Sequence, residues 1–179
     1  MNKKILVILF GIVVLLAVSF LFLNDKKYDN LNKPQLITFE KQEVLKDYNW
    51  KLIGLTGKSF NLLVNTNNVI IIKYLSISND LNKTEMETFN SIYEDYKTKI
   101  NFIVVTSDDQ LKIKKYLEKE NYLFPVFYSL SKPPFKIEPQ NNIFKSIVVS
   151  RKGRIVVDNN VAVNWDCREI RDILDGLTK

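Results

Sequence analysis

Val69-Ile70-Ile71-Ile72-Lys73-Tyr74-Leu75-Ser76-Ile77-Ser78 runs directly into Asn79-Asp80-Leu81-Asn82. Val69 to Tyr74 is nearly continuous β-branched sequence, the pattern of a central strand buried on both faces. Asn and Asp are preferred helix N-caps, and Asn82-Lys83-Thr84-Glu85 also fits a capping pattern. Met86, Phe89, Ile92, Tyr93 and Tyr96 then recur at three- and four-residue spacing. That spacing puts one apolar stripe on a helix. Asn101-Phe102-Ile103-Val104-Val105-Thr106 is the next strand. Strand, helix and strand in this order make a βαβ unit, so the two strands should be parallel.

The pattern extends in both directions. Upstream, Lys51-Leu52-Ile53-Gly54-Leu55 and Phe60-Asn61-Leu62-Leu63-Val64 flank Thr56-Gly57-Lys58-Ser59, which reads as a β-hairpin. Downstream, Ser107-Asp108-Asp109 can cap a second helix running to about Glu120, with acids at its positive end. Leu123 to Tyr128 is a further strand. Ser129 to Asn142 holds Pro133, Pro134 and Pro139 and reads as a long loop. Ile147 to Ser150 and Ile155 to Asp158 flank Arg151-Lys152-Gly153-Arg154 as a second hairpin. Asp166 is expected to open the last helix, with Glu169 at capping-box spacing. Cys167, Ile170, Ile173, Leu174 and Leu177 would line one face of it.

This order resembles the thioredoxin-like superfamily, specifically its membrane-tethered TlpA/ResA and redoxin (AhpC/TSA-type) group. In that group the strand-to-helix corner reads roughly Phe-Trp-Ala-x-Trp-Cys-x-x-Cys-x-x-Glu. Laid on that pattern, Asn79 and Asn82 fall where the two cysteines belong. Tyr122-Leu123-Phe124-Pro125-Val126 and Ser150-Arg151-Lys152-Gly153-Arg154-Ile155-Val156 carry the best local matches. The resemblance covers about residues 46–178. It implies an α/β fold: a central mixed sheet flanked by helices, with an N-terminal β-hairpin. In the family a cis-proline precedes the second hairpin, and counting back puts Phe144 at that position. A cis bond before a non-proline residue costs about 3 kcal/mol, so a trans bond and an altered loop are expected.

Composition removes most catalytic classes. The 179 residues contain no histidine and one cysteine, Cys167. Ser-His-Asp and Cys-His catalysis are therefore excluded, as are His-ligated metal sites and an intrachain disulfide. Thioredoxin-type exchange needs a thiolate at a helix N-terminus and a second thiol to resolve the mixed disulfide; neither redox position carries sulfur. Thr56-Gly57-Lys58-Ser59 lacks the upstream glycine of a phosphate-binding loop. Glu85 and Glu87 lie two residues apart on a helix and do not face one another. No metal or cofactor is expected. The net charge is +6, but Lys3, Lys4, Lys26 and Lys27, less Asp25, supply half of it. The remainder is interleaved with acids, so nucleic acid is not expected as a partner.

Ile5 to Leu23 is an uncharged apolar run. As a helix it would be about 28 Å long, close to the hydrocarbon thickness of a bilayer. Lys3 and Lys4 precede it, which favours a cytoplasmic N-terminus and an extracytoplasmic, periplasmic-side remainder. The other reading is a signal peptide cleaved near Ala17-Val18-Ser19, although Phe20 to Leu23 continues the apolar run past that point. The expected organisation is residues 1–4 cytoplasmic, 5–23 a transmembrane signal anchor, 24–45 a tether, and 46–179 the thioredoxin-like domain. The resemblance implies that such a fold receives extended polypeptide beside the two altered loops. Candidate binding residues are therefore Ser78, Asn79, Asp80, Asn82 and Phe144, with another extracytoplasmic or membrane protein as partner. The alternative is an oxidoreductase working through the Cys167 thiol or through a partner's thiols. Free cysteine on an apolar stripe is usually buried, which weighs against that alternative.

Overall fold

The computed structural model describes residues 10–15, 28, 30–134, 137–138 and 144–179. The chain divides into two units, Met1–Leu31 and Asn32–Lys179. In the first, residues 10–15 are helical with exposed side chains. Most of the expected span 5–23 lies outside the described residues. Among the described residues no helix is long and apolar enough to cross a membrane.

The second unit is built on a seven-stranded sheet: β1 (Lys51–Gly54), β2 (Ser59–Asn61), β3 (Ile70–Leu75), β4 (Asn101–Thr106), β5 (Val126–Ser129), β6 (Ser146–Val149) and β7 (Ile155–Asn159). Their spatial order is β2-β1-β5-β4-β3-β6-β7. β3, β4 and β5 run parallel, while β1, β2, β6 and β7 extend the sheet through antiparallel pairs. Three helices complete it: α1 (Asp80–Tyr96), α2 (Gln110–Glu120) and α3 (Arg168–Thr178). The parallel pairing of β3 with β4 across α1 is the arrangement expected of the βαβ reading. Gly57, with φ of 81°, makes the β1–β2 turn, where Gly54 N–H donates to the Lys58 carbonyl at 2.9 Å.

Strand alternation distributes the β3 side chains between two cores. Ile71 joins Met86, Phe89, Ile92, Phe102, Phe124 and Trp165 under the helices. Ile70 and Ile72 join Trp50, Leu52, Ile103 and Ile147 on the other face. Phe89 is the centre of the helix-side core, meeting Phe102, Phe124 and Trp165 edge-on at 5.4–5.7 Å between ring centroids. Such aromatic pairs favour this geometry.

Two expected boundaries are corrected. Residues 32–45, expected as tether, belong to the folded unit. Ile37 N–H donates to the Val156 carbonyl, Leu45 N–H to Gly153, and Ile155 N–H to Glu43, each at 2.8 Å. The segment satisfies the outer edge of β7, an edge that would otherwise expose unpaired backbone groups. It does so through isolated bridges, so no strand-like alternation marks it. Secondly, Cys167, not Asp166, is the N-cap of α3. The Asp166 carboxylate is instead taken by Arg171 at 2.6 Å and Ser91 at 2.9 Å.

Candidate functional site

The corner between β3 and α1 begins where the ladder of β3 ends. Ile77 N–H donates to the Asp108 carboxylate at 2.6 Å, which ties this loop to the loop after β4. The Ser76 and Ser78 hydroxyls lie 2.8 Å apart. Asn79 is the N-cap of α1 and accepts from Asn82 N–H at 3.1 Å. This satisfies one of the orphan donors at a helix start. Ser78 and Asp80 are exposed; Asp80 pairs with Lys83 at 2.8 Å. Lys83 holds the Asp80 carboxyl below its ordinary range, chiefly by this hydrogen bond. Asn82 is fully buried in the first turn, so of the two asparagines only Asn79 caps.

Beneath this corner lie Lys73, which no motif of the sequence singles out, and Glu85, which the sequence places in a capping pattern. Lys73 points to the helix side of β3, and its Nζ lies 2.8 Å from Glu85 Oε2, with both side chains at 0% exposure. The other carboxylate oxygen accepts from Trp165 Nε1 at 3.0 Å and from Val163 N–H at 3.2 Å. Lys73 Nζ also donates to the Phe144 carbonyl at 3.4 Å and lies 5.8 Å from the centroid of the Phe144 ring. Burial pushes the Glu85 carboxyl up and the Lys73 ammonium down, while each charge pulls its partner back. Both signals were present in the sequence. A lone lysine in a strand buried on both faces requires a countercharge. Glu85 lies on the same stripe as Phe89, Ile92 and Tyr96.

The structure therefore links, through one ammonium group, two places that lie far apart in the sequence. Glu85 hangs beneath the start of α1, and Phe144 marks the altered proline position. Ser78, Asn79 and Asp80 form the outer lip of the same corner. The Ile143–Phe144 bond lies outside the described residues; within them no peptide bond is cis. Cys167, the N-cap of α3, is half-buried against the helix-side core. Burial pushes its thiol above the usual range, outweighing the hydrogen bond offered by Ile170 N–H at the helix start. A neutral thiol is a poor nucleophile. Among the described residues no cluster of His, Cys, Asp or Glu could hold a metal ion.

No family model matches the sequence, and no curated protein matches it by sequence. The fold, in contrast, is shared widely among solved structures. A DsbF homologue from Corynebacterium diphtheriae matches with a TM-score of 0.63 at 13% identity, over 82% of this chain and 94% of that one. A secreted thiol-disulfide isomerase from Corynebacterium glutamicum matches with 0.60 at 14%, over 82% and 90%. A thiol:disulfide interchange protein of the thioredoxin family from Chlorobium tepidum matches with 0.54 at 14%, over 80% and 97%. At these identities the likeness concerns the fold: the chain has the α/β thioredoxin-like architecture of thiol-disulfide oxidoreductases.

Proposed function

We propose that this chain is a membrane-anchored, extracytoplasmic thioredoxin-like module that binds a partner polypeptide and does not exchange thiols. The observation that carries the reading is the combination of an intact corner with absent sulfur. The N-cap, the loop tie through Asp108 and the Lys73 link to Phe144 are all in place. Yet asparagine occupies both positions where the resembled family has cysteine. An amide accepts and donates hydrogen bonds but cannot form the mixed disulfide that exchange requires. The corner thus keeps a shaped, polar lip suited to a main chain. Residues 5–23 would supply the anchor and place the folded unit on the periplasmic side. The partner would be another extracytoplasmic or membrane protein.

The test uses the full chain in its membrane. A photo-crosslinking amino acid at Ser78 or at Phe144 is expected to capture one polypeptide that a probe at Lys114, on α2, does not. Capture from Lys114 with none from either loop would overturn the binding assignment. Disulfide reduction is expected to be absent in the parent chain and in Cys167→Ser alike. Turnover abolished by Cys167→Ser would show a working monothiol and overturn the non-redox assignment. The double substitution Asn79→Cys with Asn82→Cys is expected to introduce reductase activity, since it returns sulfur to a helix N-terminus.

A further inference from the structure

A second concave surface lies at the far end of the sheet. β6 runs antiparallel to β3, pairing Val149 with Ile70, so the turn after β6 emerges where β3 begins. The corner described above follows the opposite end of β3. Between the 150–154 turn, the strap at residues 36–42 and α3 is an open groove of about 770 Å³. Its apolar walls come from Leu36, Phe39, Val156, Ile173 and Leu177. Leu36 is 57% exposed and Phe39 63% exposed. Large apolar side chains gathered in one place at such exposure mark a binding surface.

Gln42, Asp172 and Lys179 also line this groove, but its basic side chains cluster on the 150–154 turn. Arg151, Lys152 and Arg154 all line it. Arg151 donates to the Thr178 carbonyl at 3.0 Å, while Arg154 stacks over the Phe39 ring at 4.4 Å and donates to the Gln42 carbonyl. Carbonyls and a ring orient these guanidinium groups without cancelling their charge. The acid lining the groove, Asp172, faces Arg168 at 3.6 Å. The groove is therefore cationic along one turn and apolar along its walls.

Gly176 adds an independent observation. It lies in the last turns of α3 and lines the groove, and a Cβ built on it would meet nothing within 4 Å. No positive φ requires glycine there. Glycine inside a helix is unfavourable relative to alanine, and among the described residues no neighbour within 4 Å accounts for it. It leaves the wall of the groove open beside Ile173 and Leu177.

We infer that this groove binds a single-chain anionic amphiphile, with its carboxylate or phosphate head on the 150–154 turn and its acyl chain between the strap and α3. The volume falls within the range of small-ligand clefts, which are mostly apolar with a few placed polar groups. The guanidinium fork fits either head group. The inference is independent of the function proposed for the β3–α1 corner.

The experiment uses the full chain in nanodiscs of neutral lipid and a diazirine-bearing fatty acid as probe, with the matching fatty alcohol as control. Irradiation and peptide mapping are expected to place the label within Leu36–Phe39 and Ile173–Leu177. Arg151→Glu is expected to lower labelling about tenfold, the weight of one charge-assisted contact. The alcohol should label at the level of Arg151→Glu. Gly176→Trp should block labelling, whereas Gly176→Ala should fold with a higher melting temperature and still label. A fatty phosphate should compete with the probe, and acidic phospholipid in the disc should not. Equal labelling by acid and alcohol, or labelling unchanged by Arg151→Glu in a folded protein, would overturn the inference. Loss of the label when acidic phospholipid is added would also overturn it, because the surface would then be docking on the bilayer.

Discussion

At the scale of single residues, the Lys73–Glu85 pair determines how the corner is held. An ionised group transferred from water to a protein interior loses several kcal/mol of solvation, which only close pairing and further hydrogen bonds recover. Glu85 has both: Lys73 at one oxygen, Trp165 and Val163 at the other. Deleting one partner should therefore cost far more than deleting both. Lys73→Met is expected to destabilise the domain by about 3–5 kcal/mol, because it strands a carboxylate. Glu85→Gln keeps an acceptor for Trp165 but strands the ammonium, and should cost a similar amount. The double substitution should cost less than either single one, so the coupling energy should exceed about 3 kcal/mol, the smaller single loss. Urea unfolding of the four proteins measures this directly. Additive losses would mean that the two groups do not act as a pair. The lysine also joins β3 to the Phe144 segment, so partner capture at Phe144 should weaken in Lys73→Met even where the protein stays folded.

At the scale of elements, α1 separates the residues that cap from those that only decorate. Asn79 holds Asn82 N–H from the N-cap, whereas Asp80 is exposed and pairs with Lys83. Asn79→Ala should cost about 1 kcal/mol of stability. Asp80→Ala should fall within about 0.5 kcal/mol of neutral, as exposed ion pairs do. A thermal or chemical unfolding series that reversed this order would move the helix start. Local spacing made these elements legible. The Met86–Phe89–Ile92–Tyr96 stripe, the β-branched run of β3 and the Gly57 and Gly153 turns each carry their own period or backbone requirement. What stayed hidden was settled by partners distant in sequence. The local motif favours Asp166 as a cap, but Ser91 on α1 donates to its carboxylate, and Arg171, which Asp95 on α1 also holds, takes the other oxygen. The strap at 32–45 lacks any period because it pairs with β7 through scattered bridges. Lys73 and Glu85 come together only once α1 lies across β3. The candidate corner was legible at Asn79, Asn82 and Phe144 through resemblance, while the charge pair that joins its two sides needed the fold.

At the scale of the whole molecule, two cores share one sheet, and tyrosines serve both of them. Tyr116 and Tyr96 bury their rings on the helix side, and Tyr74 packs against the other core. Burial pushes all three phenols above their ordinary value; Glu138 adds to the effect at Tyr74, and Tyr96, which also donates to Asp175 at 2.8 Å, reaches about 12. A folded-state value raised above the unfolded one favours the native state fully while pH stays below about 10, the unfolded value. That contribution is lost as pH rises through the folded value, because the unfolded chain releases protons that the native chain retains. For Tyr96 the window is pH 10 to about 12. The urea midpoint is therefore expected to stay level from neutral pH to about 9 and to fall steeply above 10. Tyrosinate absorbance from these three rings should appear together with loss of helical circular dichroism. Tyr96→Phe should flatten part of the slope between pH 10 and 12 while lowering stability at neutral pH through the lost bond to Asp175. If all eight tyrosines of the chain ionised near 10 with the helical signal intact, water would have to reach both cores in the native state. The close packing around Phe89 and Trp50 could not then be the arrangement that holds the molecule together.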